Sequence, residues 1–118
     1  MSLKVVSIED DGIAALDCAD DMNALAMSDD FKELEGLLGS DWAKRRVALG
    51  MQEASYIDSA VIGWLLSLHK SFSQADGKLV IHSMTPTVKR VIALMRLDNV
   101  LNLTEDRAQA MQQLKEGA

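Results

Sequence analysis

Two neighbouring residues near the middle of the chain, Asp58 and Ser59, place a carboxylate and a hydroxyl at the predicted start of a helix. A serine hydroxyl can accept a phosphoryl group, which adds about −1.5 to −2 charge at neutral pH. The first N–H groups of a helix lack partners within it, and the helix dipole favours an anion there by roughly 0.3–1 kcal/mol. This position could therefore carry a phosphoryl group, although Asp and Ser also serve simply as helix caps.

The same serine lacks the surroundings that an enzymatic nucleophile requires. An activated serine needs a base within hydrogen-bond reach, and the nucleophile elbow has glycines two residues before and after it. Ile57 and Val61 occupy those positions here. His69 would lie about 15 Å along the same helix, and we interpret both His69 and His82 as structural. We therefore expect no catalytic residue and no enzymatic activity.

Runs of acidic residues occur in the first part of the chain, but their spacing does not suit a metal. A calcium loop alternates its oxygen ligands along the chain. Residues 9–11, 20–21 and 29–30 are instead consecutive acids, which suit turns and helix caps. The sequence also contains no glycine-rich phosphate loop. We predict neither a metal nor a cofactor.

Composition excludes further classes of protein. The net charge of −6 opposes binding to the phosphate backbone of nucleic acids. A single cysteine, Cys18, cannot form an internal disulfide. No apolar run approaches the roughly 20 residues that cross a bilayer, and no hydrophobic signal region follows the first residues. We expect a cytoplasmic protein that neither binds nucleic acid nor inserts into a membrane.

Strand and helix patterns alternate along the chain, and these elements must position Ser59. The turn at residues 10–12, which ends in Asp-Gly, predicts a hairpin between the first two strands. Because no linker or repeat interrupts the pattern, we interpret residues 1–118 as one α/β domain. The predicted strands are Leu3–Ile8, Gly12–Leu16, Arg46–Met51, Leu79–His82 and Val100–Leu103.

Four helices are predicted. The first is capped by Ser28 and stops at Gly39, and the second runs from Ser59 to about Ala75. The third opens at Pro86, and Thr104 with the two acids after it caps the fourth. The apolar residues predicted to face the core are Phe31, Leu34, Leu37 and Leu38 in the first helix, Ile62, Leu65, Leu66 and Phe72, with His69, in the second, Val88, Ile92 and Met95 in the third, and Ala108, Met111 and Leu114 in the fourth.

The stretch around Ser59 resembles the STAS domain of bacterial anti-sigma factor antagonists. Residues 56–59, Tyr-Ile-Asp-Ser, are similar to an aromatic-apolar-Asp-Ser signature of that family, and Gly63, Leu65 and Leu66 follow in register. Further matches are Gly77–Val80, Thr85–Arg90 and Leu97–Asp98. The resemblance implies a single STAS-like domain with a four- to five-stranded mixed sheet and about four helices.

Four positions depart from the family pattern. Ala60 stands where a second Ser or Thr is frequent, and Val61 replaces a usual glycine. Gly50 occupies a strand position where Asp or Asn is common, and Arg96 stands where glycine is usual. The first two departures bear on which kinase would accept Ser59, and whether any does.

The resemblance implies that an anti-sigma factor serine kinase phosphorylates Ser59 and that Asp58 helps to hold the site. Unphosphorylated, the domain would bind the kinase and free the sigma factor, and a phosphatase would reset the switch. The alternative is a constitutive scaffold or transporter-complex subunit in which Ser59 only caps the helix. A small-ligand carrier would need an internal cavity, and formation of a homodimer stays open.

The predicted partner-binding surface surrounds the helix start. Trp64 belongs to it only if its ring faces outward, and packing of that ring against a neighbouring helix is the equal alternative. Lys89 and Arg90 would lie at the border. The complete predicted surface comprises Asp58, Ser59, Ala60, Gly63, Trp64, Ser67, Lys89 and Arg90.

Overall fold

The computed structural model describes residues 3–9, 11–18 and 31–116. The predicted cap Ser28, its neighbours Asp29 and Asp30, and Asp10 of the hairpin turn lie outside these residues. The described strands are β1 (Leu3–Ile8), β2 (Ala14–Cys18), β3 (Arg46–Gly50) and β4 (Lys78–His82). The described helices are α1 (Lys32–Leu38), α2 (Ser59–Gln74), α3 (Pro86–Leu94) and α4 (Arg107–Glu116), with short 3₁₀ turns at Trp42–Lys44 and Leu97–Asn99.

The four strands form one mixed sheet in the order β1-β2-β3-β4. β1 pairs antiparallel with β2, whereas β2, β3 and β4 are parallel. The predicted hairpin is confirmed, but β2 begins two residues later than expected because Gly12 lies in the turn. Its φ is 88°, and its N–H donates to the Glu9 carbonyl at 2.9 Å. The mixed α/β architecture is therefore as the sequence predicts.

The predicted fifth strand, Val100–Leu103, is reduced to a single parallel bridge between Leu103 and Ile81. The Ile81 N–H donates to the Asn102 carbonyl, and the Thr104 N–H donates to the Ile81 carbonyl, both at 2.9 Å. Immediately upstream, the chain is wound into the 3₁₀ turn Leu97–Asn99, which leaves too few extended residues for a full strand.

Helices cover both faces of the sheet. The larger core includes side chains of α1, α2 and α3 and alternate strand residues such as Leu16, Leu49 and Ile81. On the opposite face, Ala110 and Leu114 of α4 pack against Ala48 of β3, Val80 of β4 and Ile13, which directly precedes β2. This division follows from the alternation of side chains along each strand.

Helix α4 begins at Arg107, and its N-cap is Asp106. The Asp106 carboxylate accepts from the Gln109 N–H at 2.8 Å, whereas the Thr104 hydroxyl donates to the Asp106 carbonyl. Of the predicted core residues, Leu114 is buried and Met111 is half-buried and packs against the core, whereas Ala108 is exposed. The prediction of Thr104 as the cap was wrong, since Asp106 lies two residues closer to the helix.

Helix α3 begins as predicted. Thr85 is its N-cap, accepting from the Val88 N–H, and Pro86 follows in the first turn. Met95 was predicted to face the core, but it terminates the helix and is 53% exposed. Arg96 then takes a left-handed conformation, φ 58° and ψ 27°, which turns the chain away from the helix axis. This backbone explains why glycine suits the position.

Replacing Arg96 by glycine is expected to raise the free energy of unfolding by up to about 1 kcal/mol. A left-handed residue with a Cβ is strained by roughly 1–2 kcal/mol, and the larger entropy of an unfolded glycine offsets part of that gain. Arg90→Gly is the matched control, because the same change inside α3 should lower stability by about 1 kcal/mol. Denaturant unfolding measures both, and a loss of stability in Arg96→Gly would contradict the strain.

Candidate functional site

The start of α2 lies at the carboxyl end of the sheet. Asp58 is the N-cap, and its carboxylate accepts from the Val61 N–H at 3.0 Å. Ser59 is the first residue of the helix and is exposed. Its hydroxyl makes no hydrogen bond to any residue that the structure describes. The cap is therefore Asp58, and the Ser59 hydroxyl is available at the surface.

The β3–α2 loop, residues 51–58, connects Gly50 to Ser59 and is held from several sides. The Met51 N–H donates to the His82 carbonyl at 3.0 Å, which extends the pairing with β4. The Thr85 hydroxyl donates to the Ala54 carbonyl at 3.1 Å and links the start of α3 to the loop. The buried side chains Met51, Ala54 and Ile57 fix the loop against the core.

Four of the predicted residues form one exposed surface, which we call the α2 face: Ser59, Ala60, Gly63 and Ser67. They recur at helical spacing, so their Cα atoms lie along the same side of α2. All are small, and a Cβ placed on Gly63 would meet nothing within 4 Å. The backbone of α2 is thus accessible to another protein along this side.

Trp64 does not belong to the α2 face. Its side chain is only 9% exposed, and its ring centroid lies 6.0 Å from that of Phe31. Phe31 also packs on Trp42, whose ring meets Phe72 edge-on, so four aromatic residues form one cluster. The outward orientation of Trp64 is therefore wrong, because the apolar side of α2 is wider than predicted.

The other residues of α2 also show that its buried side is wider than predicted. Val61 and Leu68 are buried beside Ile62 and Leu65, although the predicted stripe omitted them. Leu66 and His69, which were placed in the stripe, are only half-buried. A helix that packs under a sheet and beside a second helix buries more than one row of side chains.

The two basic residues predicted at the border lie on α3, and both are exposed. The Lys89 ammonium forms an ion pair with the Glu105 carboxylate at 2.7 Å. The bond from Thr85 to the β3–α2 loop places the start of α3 next to that loop. Lys89 is therefore partly neutralised, whereas Arg90 presents its charge to solvent.

Tyr56 is a surface residue that the predicted set omitted. It is 49% exposed, whereas the next residue, Ile57, is buried at 7%. It belongs to the loop that leads into α2, two residues before Asp58. A signal for it was present in the sequence, since Tyr56 is the only tyrosine and directly precedes a core residue of the Tyr-Ile-Asp-Ser stretch.

Several polar side chains lie together next to the β3–α2 loop, on the face of the sheet that α4 covers. We call them the polar cluster: Asp17, Gln52, His82 and Arg107. The Asp17 carboxylate accepts from Gln52 Nε2 at 2.8 Å and from Arg107 Nη2 at 3.3 Å. His82 is 1% exposed, and its Nδ1 lies 2.8 Å from the Ser83 hydroxyl. His82 is thus a core residue with polar neighbours.

Gly50 gives this cluster its space. In the register of the sheet, Gly50 pairs with Asp17 on one side and His82 on the other. A Cβ on Gly50 would collide with the Asp17 carboxylate and lie 2.9 Å from His82 Cε1 and 2.6 Å from Gln52 Oε1. The absence of the strand Asp or Asn at this position therefore has a physical reason, because its neighbours occupy that volume.

Burial lowers the pKa of His82 below its usual 6.5, and the charge of Arg107 lowers this pKa further, whereas Asp17 and Asp106 act in the opposite direction. The folded state therefore binds this proton less readily than the unfolded state. As pH falls below 6.5 and through the folded pKa, the unfolded state takes up more protons and stability is lost.

The free energy of unfolding is accordingly expected to fall between about pH 7.5 and pH 5.5, and His82→Gln should remove much of this decrease. Urea unfolding at a series of pH values measures it. His69→Gln is the matched control, since it removes the other imidazole and should keep the decrease. Parallel pH profiles for wild type and His82→Gln would exclude His82 as the source.

Within the described residues, no helix has the length and apolarity needed to cross a membrane. The described part of the chain also brings no three His, Cys, Asp or Glu side chains together as metal ligands. Comparison with protein families matches residues 10–110 to the STAS domain. The chain belongs to the STAS domain family. This match covers both the polar cluster and the start of α2.

Solved structures with the same fold agree with this membership. A proposed anti-sigma factor antagonist from Thermotoga maritima superposes with a TM-score of 0.79 at 22% identity, covering 96% of this STAS chain and 94% of its own. An anti-sigma-factor antagonist (STAS) domain protein from Planctomyces limnophilus has a TM-score of 0.77 at 14% identity, with coverages of 96% and 97%. At these identities the likeness establishes the fold.

Proposed function

We propose that this STAS domain is a regulatory, non-enzymatic protein-binding domain, an anti-sigma factor antagonist that phosphorylation of Ser59 switches off. The observation that carries the proposal is the position of Ser59. It is exposed as the first residue of α2, and its hydroxyl takes no part in the capping hydrogen bond. The Asp58 side chain makes the cap bond, which supports a role for Ser59 other than capping. The two solved structures described above are a proposed anti-sigma factor antagonist and an anti-sigma-factor antagonist (STAS) domain protein, which supports this function.

The helix start can hold a phosphoryl group on Ser59. Val61 donates its N–H to Asp58, which leaves the preceding amides of Ser59 and Ala60 at the positive end of the helix dipole. A phosphoryl group there gains charge-assisted hydrogen bonds, but it also adds negative charge next to the Asp58 carboxylate. The modified helix start thus remains folded while its electrostatic surface changes sharply.

The surface around Ser59 suits a protein partner. Side chains of the α2 face are small, so a partner backbone can approach α2 closely. Tyr56 offers an exposed aromatic ring beside this face, and tyrosine is among the residue types that dominate binding energy at interfaces. Arg90 supplies an exposed cation on α3. A docked partner would desolvate Ser59, and a phosphoryl group would oppose that burial.

The partner in this proposal is an anti-sigma factor serine kinase, and a phosphatase restores the unmodified state. A constitutive scaffold or transporter-complex subunit would use the same α2 face without modification. Phosphorylation therefore separates the two functions, because only the antagonist requires it.

Incubation with ATP and each purified anti-sigma kinase of the source organism should add the mass of one phosphoryl group to the wild-type chain. Ser59→Ala should add none. Ser67→Ala is the matched control, since it removes another exposed serine of α2 and should gain the mass normally. Intact-mass spectrometry records all three. If no kinase modifies the wild type, the switch is refuted and the scaffold function is favoured.

If the kinase approaches the α2 face closely, a substitution there should weaken kinase binding even though it stabilises the fold. Gly63→Ala and Gly36→Ala both place a methyl group in open space on an exposed helix, so each should stabilise the fold by about 0.5–1 kcal/mol. Only Gly63→Ala adds a methyl group to the α2 face, and overpacking of an interface should weaken kinase binding by roughly tenfold or more. Isothermal calorimetry measures the affinities.

Gly36→Ala, on α1, is the control and should bind the kinase as the wild type does. Tyr56→Ala should also weaken binding, because it removes the exposed aromatic ring. Equal affinities for Gly63→Ala and Gly36→Ala would mean that the partner does not approach α2 at Gly63.

A further inference from the structure

We infer that Asp17 is a positioning residue that holds the β3–α2 loop and helix α4 together, and that protonation of His82 loosens this hold. The inference rests on the proposed function only in taking this loop as part of the docking surface. It concerns residues on the opposite face of the sheet from the core of α2, and it needs no partner to be tested.

The sheet register brings the components together. Asp17, Gly50 and His82 occupy directly paired positions on three neighbouring strands. Because Gly50 has no side chain, the carboxylate and the imidazole both extend over it from the two sides. Asp17 is only 6% exposed and His82 only 1%. A buried carboxylate and a buried imidazole thus lie next to each other at the edge of the sheet where the β3–α2 loop begins.

Asp17 joins two elements that are far apart in sequence. Its Oδ2 accepts from Gln52, the second residue of the β3–α2 loop, at 2.8 Å. Both of its oxygens lie 3.3 Å from Nη2 of Arg107, the first residue of α4. Charge-assisted hydrogen bonds of a buried carboxylate are stronger than neutral ones and costly to leave unmade. This carboxylate therefore contributes to holding the first part of the loop and the start of α4.

His82 is placed to compete for the same carboxylate. Its Nε2 is buried and has no hydrogen-bond partner among the described residues, while Nδ1 is next to the Ser83 hydroxyl. The charged groups that face it are Asp17 from β2 and Asp106 and Arg107 from α4, whereas β3 contributes only Gly50 at this level. While the His82 imidazole is neutral, the Asp17 carboxylate keeps its hydrogen bonds from Gln52 and Arg107.

Uptake of a proton from solvent turns both ring nitrogens of His82 into donors. The imidazolium attracts Asp17 across Gly50 and repels the Arg107 guanidinium. Either effect weakens the bonds from Asp17 to Gln52 and Arg107, which releases the first part of the loop and the start of α4. Acidification thereby loosens the loop before the whole domain unfolds.

Amide hydrogen exchange followed by NMR on the full chain without partner tests this step. The Ala54 N–H is the probe, because it donates to the Met51 carbonyl at 3.1 Å inside the loop. After correction for intrinsic exchange, its protection in wild type should fall about fivefold from pH 7.5 to pH 5.5. His82→Gln should keep the protection at pH 7.5 and show no such fall. An equal fall in both proteins overturns the role of His82.

Asp17→Asn should lower Ala54 protection about tenfold at pH 7.5, since Arg107 and Gln52 lose their anionic partner. Gln52→Ala provides a second route that leaves the buried pair of Asp17 and Arg107 intact, and it should also lower Ala54 protection while the sheet amides stay protected. Unchanged Ala54 protection in Gln52→Ala overturns the positioning role. These results are independent of phosphorylation, so either proposal can fail without the other.

Discussion

Parallel pairing of β2, β3 and β4 is the constraint on which the rest of this structure depends. It directs the carboxyl ends of three strands to one edge of the sheet, and the chain must leave from that edge into helices. The β3–α2 loop and the start of α3 consequently meet there, joined by Thr85 and Ala54. Helix α4 adds Arg107 from the other face. The exposed Ser59 hydroxyl and the polar cluster thus share one edge for topological reasons.

Much of this arrangement follows from local sequence signals. The Asp-Gly turn, the start of α2 at Asp58 and Ser59, and Pro86 at the start of α3 are each determined by backbone preferences within a few residues. Such signals operate before tertiary contacts form, which is why the strand and helix order could be predicted. The family resemblance added the expectation that Ser59 is the modified residue, and local preferences alone would have left Ser59 as one more residue at a helix start.

The features that escaped prediction depend on contacts between distant segments. Burial of Trp64 requires Phe31 beside it, and no pattern within α2 reveals that neighbour. Ala110 and Leu114 of α4 are buried because they pack against Ala48 and Val80 of the sheet, so the buried side of α4 depends on strands that are distant in sequence. The polar cluster combines residues 17, 52, 82 and 107, whose proximity exists only in the folded sheet. The residue type of His82 and its position in a β-strand do not reveal which side chains lie next to it in the folded sheet.

The missing side chain at Gly50 restricts substitution at this position. Aspartate or asparagine at that strand position would require the volume that Asp17 and His82 now fill. A side chain at position 50 can therefore be accommodated only if its neighbours Asp17, Gln52 and His82 move or are replaced. This constraint on substitution at position 50 is independent of the serine at the start of α2.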